Sequence, residues 1–173
     1  MTRKHQLDPV DEILDQWQQQ RPDLDVMPMS IIGRISRIER LIDEQMKAAC
    51  LQFNLERWGF DVLATLRRSG APYRLTPTQL FQSLLLTSGA MTNRIDRLEA
   101  AGLVERLQDP EDRRGVHVAL TKSGLKLIDR AVAAHMKAEE AMLVSFSPGD
   151  RDKFATLLRT LLLNLETLRH KRS

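Results

Sequence analysis

Apolar residues recur every three or four positions along most of the chain, which is the period of an amphipathic helix. Stripes of this kind predict a short helix opening at Asp8-Pro9, a third helix over residues 57 to 69, and two helices over "KLIDRAVAAHMKAEEAML" and "FATLLRTLLLNLETL". The longest stripe, which marks the second helix, consists of Ile31, Ile35, Ile38, Ile42, Met46, Ala49 and Phe53. This pattern predicts a mainly α fold.

Capping residues and helix breakers mark the ends of these helices. Asp8, Thr76 and Ser147 each precede a proline, so each is expected to cap a helix whose first residue is that proline. Gly70 suits a left-handed stop after the third helix. Thr121 is expected to cap the helix that begins at the next residue. The boundaries therefore divide the chain into discrete helices.

The segment from residue 76 to residue 120 breaks the simple helical pattern. It begins with two short helices around a tight connection, the second capped by Thr87 or Ser88 and ending near Gly102, which is helix-turn-helix spacing. "LVERL" and "VHVAL" then flank the charged tip "DPEDRRG", which indicates a strand pair. The fold class predicted is mainly α with a small two- or three-stranded β-wing, a winged helix-turn-helix.

The second of these short helices has two different faces. At 100° per residue, Met91, Ile95 and Leu98 point to the core, while the other side is mostly small or polar. Such a surface can enter a major groove about 12 Å wide, although an ordinary solvated helix face would have the same pattern. The outward residues are Gly89, Thr92, Asn93, Asp96, Arg97 and Ala100.

Two arginines stand at the tip of the predicted wing. Arg113 and Arg114 are placed to enter a minor groove, and Asp112 is close enough to brace one of them by a charge-assisted hydrogen bond. The alternative is a surface ion pair of small energetic value. The residues expected to contact DNA are Ser88, Gly89, Thr92, Asn93, Arg97, Asp112, Arg113 and Arg114.

Composition limits the possibilities without deciding between them. The 173 residues suit one domain, and the net charge of +3 is too small to identify a nucleic-acid binder. No apolar run approaches the roughly 20 residues of a membrane span, and no secretory signal is present, so a cytoplasmic protein is expected. The chain has no phosphate loop, nucleophile elbow or paired metal ligands, and its four histidines are scattered, so we expect no enzyme, metal or cofactor.

The wing and the helix after it carry a recognisable motif. Asp112, Arg114, Leu120, Thr121 and Gly124 form the pattern D-x-R, five residues, L-T-x-x-G, and "MTNRIDRLEAAGLVER" is similar to a recognition helix with its first wing strand. In both features, and in its helix order, the chain resembles MarR-type transcriptional regulators. The resemblance implies a homodimer, joined through its terminal helices, whose winged lobes bind the two halves of a palindromic operator.

This resemblance also gives the domain organisation. The chain is expected to form a single MarR-type domain over residues 1–173. Its parts are N-terminal dimerisation helices at 8–54, a winged helix-turn-helix lobe at 57–122 and C-terminal dimerisation helices at 123–170. A protein-binding winged helix that no longer touches DNA is the competing function, but an apolar or acidic wing would then be expected instead of two arginines.

An extra N-terminal helix with a tryptophan resembles the urate-responsive subgroup of this family. That resemblance implies a repressor released by a small anion, urate or xanthine, bound by Trp17, Asp61, Arg68 and Arg94, with Arg67 as the competitor for Arg68. A phenolic or aromatic acid is the alternative effector. Without the resemblance, Trp17 would be interpreted as a core aromatic and Asp61 with Arg68 as a structural pair.

Cys50 offers a different route to regulation, because some members of the family sense oxidants through a cysteine. Its place near the end of a long helix, with Lys47 as the nearest base in the same turn, favours an ordinary buried thiol.

Overall fold

The computed structural model describes residues 7–84, 88–108 and 115–171, with the backbone alone at residues 88–91. These residues form seven helices and three strands. The helices are α1 (Pro9–Gln20), α2 (Met27–Leu51), α3 (Arg57–Arg68), α4 (Pro77–Leu84), α5 (Ser88–Ala100), α6 (Lys122–Met142) and α7 (Pro148–His170). The strands are β1 (Arg74–Leu75), β2 (Val104–Gln108) and β3 (Val116–Leu120). The mainly α fold with a small sheet is confirmed.

The predicted helix caps are present where the structure describes them. The Asp8 carboxylate accepts hydrogen bonds from the first turn of α1, and the Thr121 hydroxyl accepts one from Gly124 N at the start of α6. Ser147 caps α7 in the same way, and Gly70 after α3 has a φ of +83°. Thr87 lies outside the described residues. The second helix begins earlier than its stripe suggested, at Met27, and ends before Phe53.

A three-stranded antiparallel sheet supports the wing. Its order is β1-β3-β2, and the pair β2 and β3 is the ribbon that the sequence predicts. The first strand has only two residues, with Arg74 opposite Ala119, which is too short to give a hydrophobic alternation. Because β1 pairs with β3 and lies directly before α4 in the chain, it connects the strand pair to the helix-turn-helix.

The core of the winged lobe surrounds α3. Val62, Leu63 and Leu66 on this helix are fully buried. They pack among residues from α4, α5, the sheet and α6, namely Leu80, Ile95, Leu98, Val104, Val118 and Ile128. The inward face predicted for α5 is therefore confirmed at Ile95 and Leu98.

The long helices outside this lobe carry apolar side chains with no cover in one subunit. No residue of α7, all of which is described, is buried. Its exposed leucines are Leu157, Leu158, Leu162, Leu163, Leu165 and Leu168. None of the described helices is both long enough and apolar enough to span a membrane. An exposed apolar stripe of this length on one helix is typical of a surface that packs against another subunit.

Helix α1 is fastened to α2 by charge as well as by packing. Arg34 of α2 binds the Asp8 carboxylate at 2.8 Å and the Asp11 carboxylate at 2.5 Å. Val10 is the one buried residue of α1. The contacts that hold α1 on α2 thus include both the buried Val10 and two ion pairs to Arg34.

We expect the attachment of α1 to weaken in acid. Hydrogen bonding to Arg34 lowers the pKa of Asp8, and a backbone hydrogen bond from Asp8 with help from Arg34 lowers the pKa of Asp11. Because both folded-state values lie below the ordinary value of about 4, the stabilisation is complete above that pH and disappears as the pH falls through the lowered values. Arg34→Met should therefore lower the melting temperature at pH 7 and lower it by less at pH 3. An equal difference at both pH values would contradict this.

Candidate DNA interface and ligand cleft

Helix α5 presents the surface predicted to contact DNA. Thr92 and Asn93 are exposed, and Ile95 and Leu98 on the other side are buried. For Ser88 and Gly89 the structure describes only the backbone, which is helical from Ser88 onward. The helix thus offers short polar side chains on its outer face and anchors its inner face in the core.

The wing is joined to α5 by an arginine that the sequence analysis missed. Arg106 of β2 binds the carboxylates of Asp96 and Glu99 on α5, and its backbone N–H donates to Glu99 at 3.1 Å. The hydrogen bond with Asp96 is the main cause that raises the pKa of Arg106. The ion pairs of Arg106 therefore link β2 to α5. The tip residues Asp112, Arg113 and Arg114 lie outside the described residues.

A cleft of about 630 Å³ opens between α2 and the winged lobe. Three of the four residues predicted to bind an effector line it: Asp61, Arg68 and Arg94. Its other lining residues are Asp43, Lys47, Arg57, Trp58, Ala64, Thr65, Ser83 and Leu84. The cleft therefore contacts four helices, one of which is α5.

Cationic side chains outnumber carboxylates in this cleft. Lys47, Arg57, Arg68 and Arg94 are opposed by Asp43 and Asp61. The Lys47 ammonium lies 2.6 Å from Asp43, while Arg57 is only loosely paired with Asp61 at 3.4 Å. Arg68 donates to the Ser83 carbonyl at 3.1 Å, which fixes its position beside α4. An anion entering the cleft would meet several guanidinium groups.

Comparison with known proteins identifies the family. The model of the MarR family matches residues 56–116. The HTH-type transcriptional regulator PecS of Dickeya dadantii is 42% identical over 157 residues, covering 91% of this chain and 92% of PecS. The chain belongs to the MarR family.

Solved structures agree with this assignment. A mutant MarR from Escherichia coli, complexed with operator DNA, matches with a TM-score of 0.68 and 25% identity, over 79% of this chain and 95% of that one. AbsC, a MarR family transcriptional regulator from Streptomyces coelicolor, has a TM-score of 0.74 at 21% identity, over 83% and 97% of the two chains, and shows the shared fold. This protein is therefore a DNA-binding transcriptional regulator, and its relatives are regulators and not enzymes. MarR-family regulators bind operators and small ligands as dimers.

Gly124, the last residue of the motif shared with MarR-type regulators, lies where the backbone leaves no room for a side chain. A Cβ atom on Gly124 would lie 1.9 Å from the Leu103 carbonyl oxygen. That oxygen accepts a hydrogen bond from Thr121 N at 3.2 Å, and the Thr121 hydroxyl donates to the Gly102 carbonyl at 2.7 Å. The start of α6 is thus pressed against the segment that joins α5 to β2.

The structure distinguishes the two adjacent arginines of α3. Arg67 points away from the cleft, where its guanidinium binds Asp129 of α6 at 2.7 Å and lies over the ring of Tyr73. Arg68 lines the cleft. The sequence did not decide which of these two arginines faces the cleft, because adjacent side chains are separated by only 100° around the helix axis.

The aromatic side chain of the cleft belongs to Trp58. Trp17 lies on α1 with 43% of its surface exposed, and it is not among the described residues that line the cleft. Its predicted contact with an effector stays a prediction. Trp58 precedes Asp61 by three residues, so helical spacing places both on one face of α3, and that was the signal available in the sequence.

Cys50 and the histidines offer no second site within the part of the chain described. Cys50 is 2% exposed, and burial raises the pKa of its thiol, which disfavours the reactive thiolate. The described residues contain no group of three side chains suited to hold a metal ion.

Proposed function

We propose that this MarR-family regulator is a repressor that leaves a palindromic operator when a planar aromatic anion, urate or another purine such as xanthine, binds in the cleft. The observation that carries the proposal is that Asp61, Arg68 and Arg94 line one cavity that reaches the recognition helix. The two arginines come from different helices, so the cavity exists only in the folded lobe.

The chemistry of the cleft suits such a ligand. Guanidinium groups supply paired donors to a delocalised anion, and the face of Trp58 can stack on a planar ring. The volume of about 630 Å³ is within the usual range for small-molecule sites. A phenolic or aromatic carboxylate shares these features and is the second candidate. Oxidation of Cys50 is disfavoured by its burial.

Arg94 connects this cleft to DNA binding. It lies on α5 with its guanidinium carbon 5.8 Å from the centre of the Trp58 ring. An anion that draws Arg94 into the cleft, while its charge is repelled by Asp61, would shift α5 relative to α3. A preference of about 1 to 3 kcal/mol for the shifted state weakens DNA binding some 5- to 150-fold.

The contacts to DNA follow from the same arrangement. We propose that Ser88, Gly89, Thr92 and Asn93 enter the major groove, where the free N–H groups at the helix start also favour phosphate. Arg97 contributes from the flank of α5. Arg113 and Arg114, with Asp112 as a brace, enter the adjacent minor groove.

Neighbouring arginines provide the test of the effector site. Urate should raise the melting temperature of the wild-type dimer and release it from operator DNA. Arg68→Ala should remove most of both responses, because it deletes a cation that lines the cleft. Arg67→Ala is the matched control, since its guanidinium binds Asp129 outside the cleft, and it should respond to urate as the wild type does.

The same assay separates the two effector classes. Salicylate in place of urate identifies an aromatic carboxylate if it alone shifts the wild type and the shift depends on Arg68. Equal responses of Arg68→Ala and Arg67→Ala to either ligand would place the effector elsewhere and overturn the proposed site.

A further inference from the structure

We propose that Glu56 competes with operator phosphate for Arg97, so that an acidic residue within the DNA-binding lobe limits its affinity. The inference rests on the proposed contact between Arg97 and DNA and not on the identity of the effector. It assigns a regulatory role to a residue that neither the helix-turn-helix pattern nor the cleft accounts for.

Three residues form a closed group at the junction of α3 and α5. One oxygen of the Glu56 carboxylate accepts a hydrogen bond from Arg97, and the other accepts one from the indole N–H of Trp58 at 2.6 Å. The Arg97 guanidinium carbon also lies 4.8 Å from the centre of the Trp58 ring. Arg97 is therefore held against the N-terminal end of α3 by a carboxylate and an aromatic face.

Glu56 has no evident role in the helix that it precedes. It occupies the N-cap position of α3, yet within the described residues its side chain makes no capping hydrogen bond to that helix. Asp8, Thr121 and Ser147 all use their side chains for capping at the equivalent position. The Glu56 carboxylate is instead directed to Arg97 and Trp58, which points to the pairing itself as its use.

The pair is exposed enough to be exchanged for another partner. The side chains of Arg97 and Glu56 are 56% and 54% exposed. Exposed ion pairs are weak, so a phosphate oxygen can replace the carboxylate without a large penalty. A guanidinium binds phosphate as readily as carboxylate, and with the same fork of donors.

The carboxylate remains charged at neutral pH. Hydrogen bonds from Trp58 and Arg97 lower the pKa of Glu56. In the DNA complex the carboxylate either stays on Arg97, cancelling its attraction to phosphate, or releases Arg97 at the cost of the ion pair between them. Both outcomes weaken binding.

Removal of the carboxylate charge is the test. Glu56→Gln should tighten binding to a palindromic operator by about 3- to 10-fold at low salt, as expected for two weak ion pairs per dimer. It should also steepen the salt dependence by up to about 0.9 log units per log unit of salt for each subunit, because Arg97 then neutralises a phosphate without a competitor. Fluorescence anisotropy over a salt series measures both quantities.

The matched control is the same change in a chain that lacks Arg97. In the Arg97→Ala background, Glu56→Gln should leave both the affinity and the salt slope almost unchanged. If the gain persists there, the carboxylate acts only as a general negative charge and the proposal is wrong. Weaker or unchanged operator binding by the single variant, with a normal circular dichroism spectrum, would also overturn it.

A second variant tests whether the hydrogen bond from Trp58 keeps the Glu56 carboxylate beside Arg97. Trp58→Phe keeps an aromatic face under Arg97 but removes the N–H that orients Glu56. It should tighten operator binding in the same direction by a smaller factor, and this gain should also vanish without Arg97. Urate is absent from these measurements, so an error in the effector assignment does not change their outcome.

Discussion

Replacing Gly124 by alanine is expected to lower the free energy of unfolding by about 3 kcal/mol, which is roughly 6 to 12 °C in melting temperature for a chain of this size. The added Cβ would lie 1.9 Å from the Leu103 carbonyl oxygen, far inside van der Waals contact. That carbonyl is backbone and is fixed by its hydrogen bond from Thr121, so it cannot turn aside as a flexible side chain would. Thermal and urea unfolding measure the loss.

Gly149 provides the matched control. It also lies in the first turn of a helix, α7, but a Cβ there meets nothing within 4 Å. Gly149→Ala should be neutral or stabilising by up to about 1 kcal/mol, because alanine favours the helix. Equal stability of the two alanine variants would show that the contact at Gly124 relaxes easily, contrary to our expectation.

Replacing Leu165 by aspartate is expected to convert the dimer into monomers and to weaken operator binding by about 100-fold or more. Leu165 lies in the centre of the apolar stripe of α7, and 52% of its surface is exposed in the single subunit. A charge in an apolar subunit interface is strongly unfavourable unless it is paired. When the two lobes are no longer linked, the second half of the operator adds nothing to the affinity of the first.

Thr156→Asp is the control for the added charge. Thr156 lies on α7 almost opposite Leu165, at 100° per residue, so its aspartate should leave the dimer intact. Sedimentation of both variants gives the oligomeric state, and anisotropy with a full operator and a half-site gives the affinities. A Leu165→Asp chain that stays dimeric would exclude this stripe from the interface.

The predictions for Gly124 and Leu165 concern two consecutive helices, α6 and α7. Gly124 lets α6 begin directly against the segment between α5 and β2, and α6 then runs on to α7 with its uncovered leucines. Helix α6 therefore links the segment that follows α5 to the helix that carries the apolar stripe. A ligand in the cleft acts within this frame, because the cleft is lined by both α2 and α5.

The sequence alone determined the features that depend on neighbours within one or two helical turns. Asp8, Thr121 and Ser147 cap their helices through backbone groups two or three residues away, so the local pattern was sufficient. The inward face of α5 followed from its period in the same way. The wing was visible because its two strands are consecutive in the chain.

The tertiary structure alone decided which side chains from distant segments meet. It directed Arg67 to Asp129 and Arg68 into the cleft, added β1 to the sheet, and brought Trp58 to the wall of the cleft. Glu56 and Arg97 are 41 residues apart, and nothing in either local pattern predicts that they pair. Periodicity fixes the side of a helix on which a residue lies, whereas its partner depends on how the helices pack.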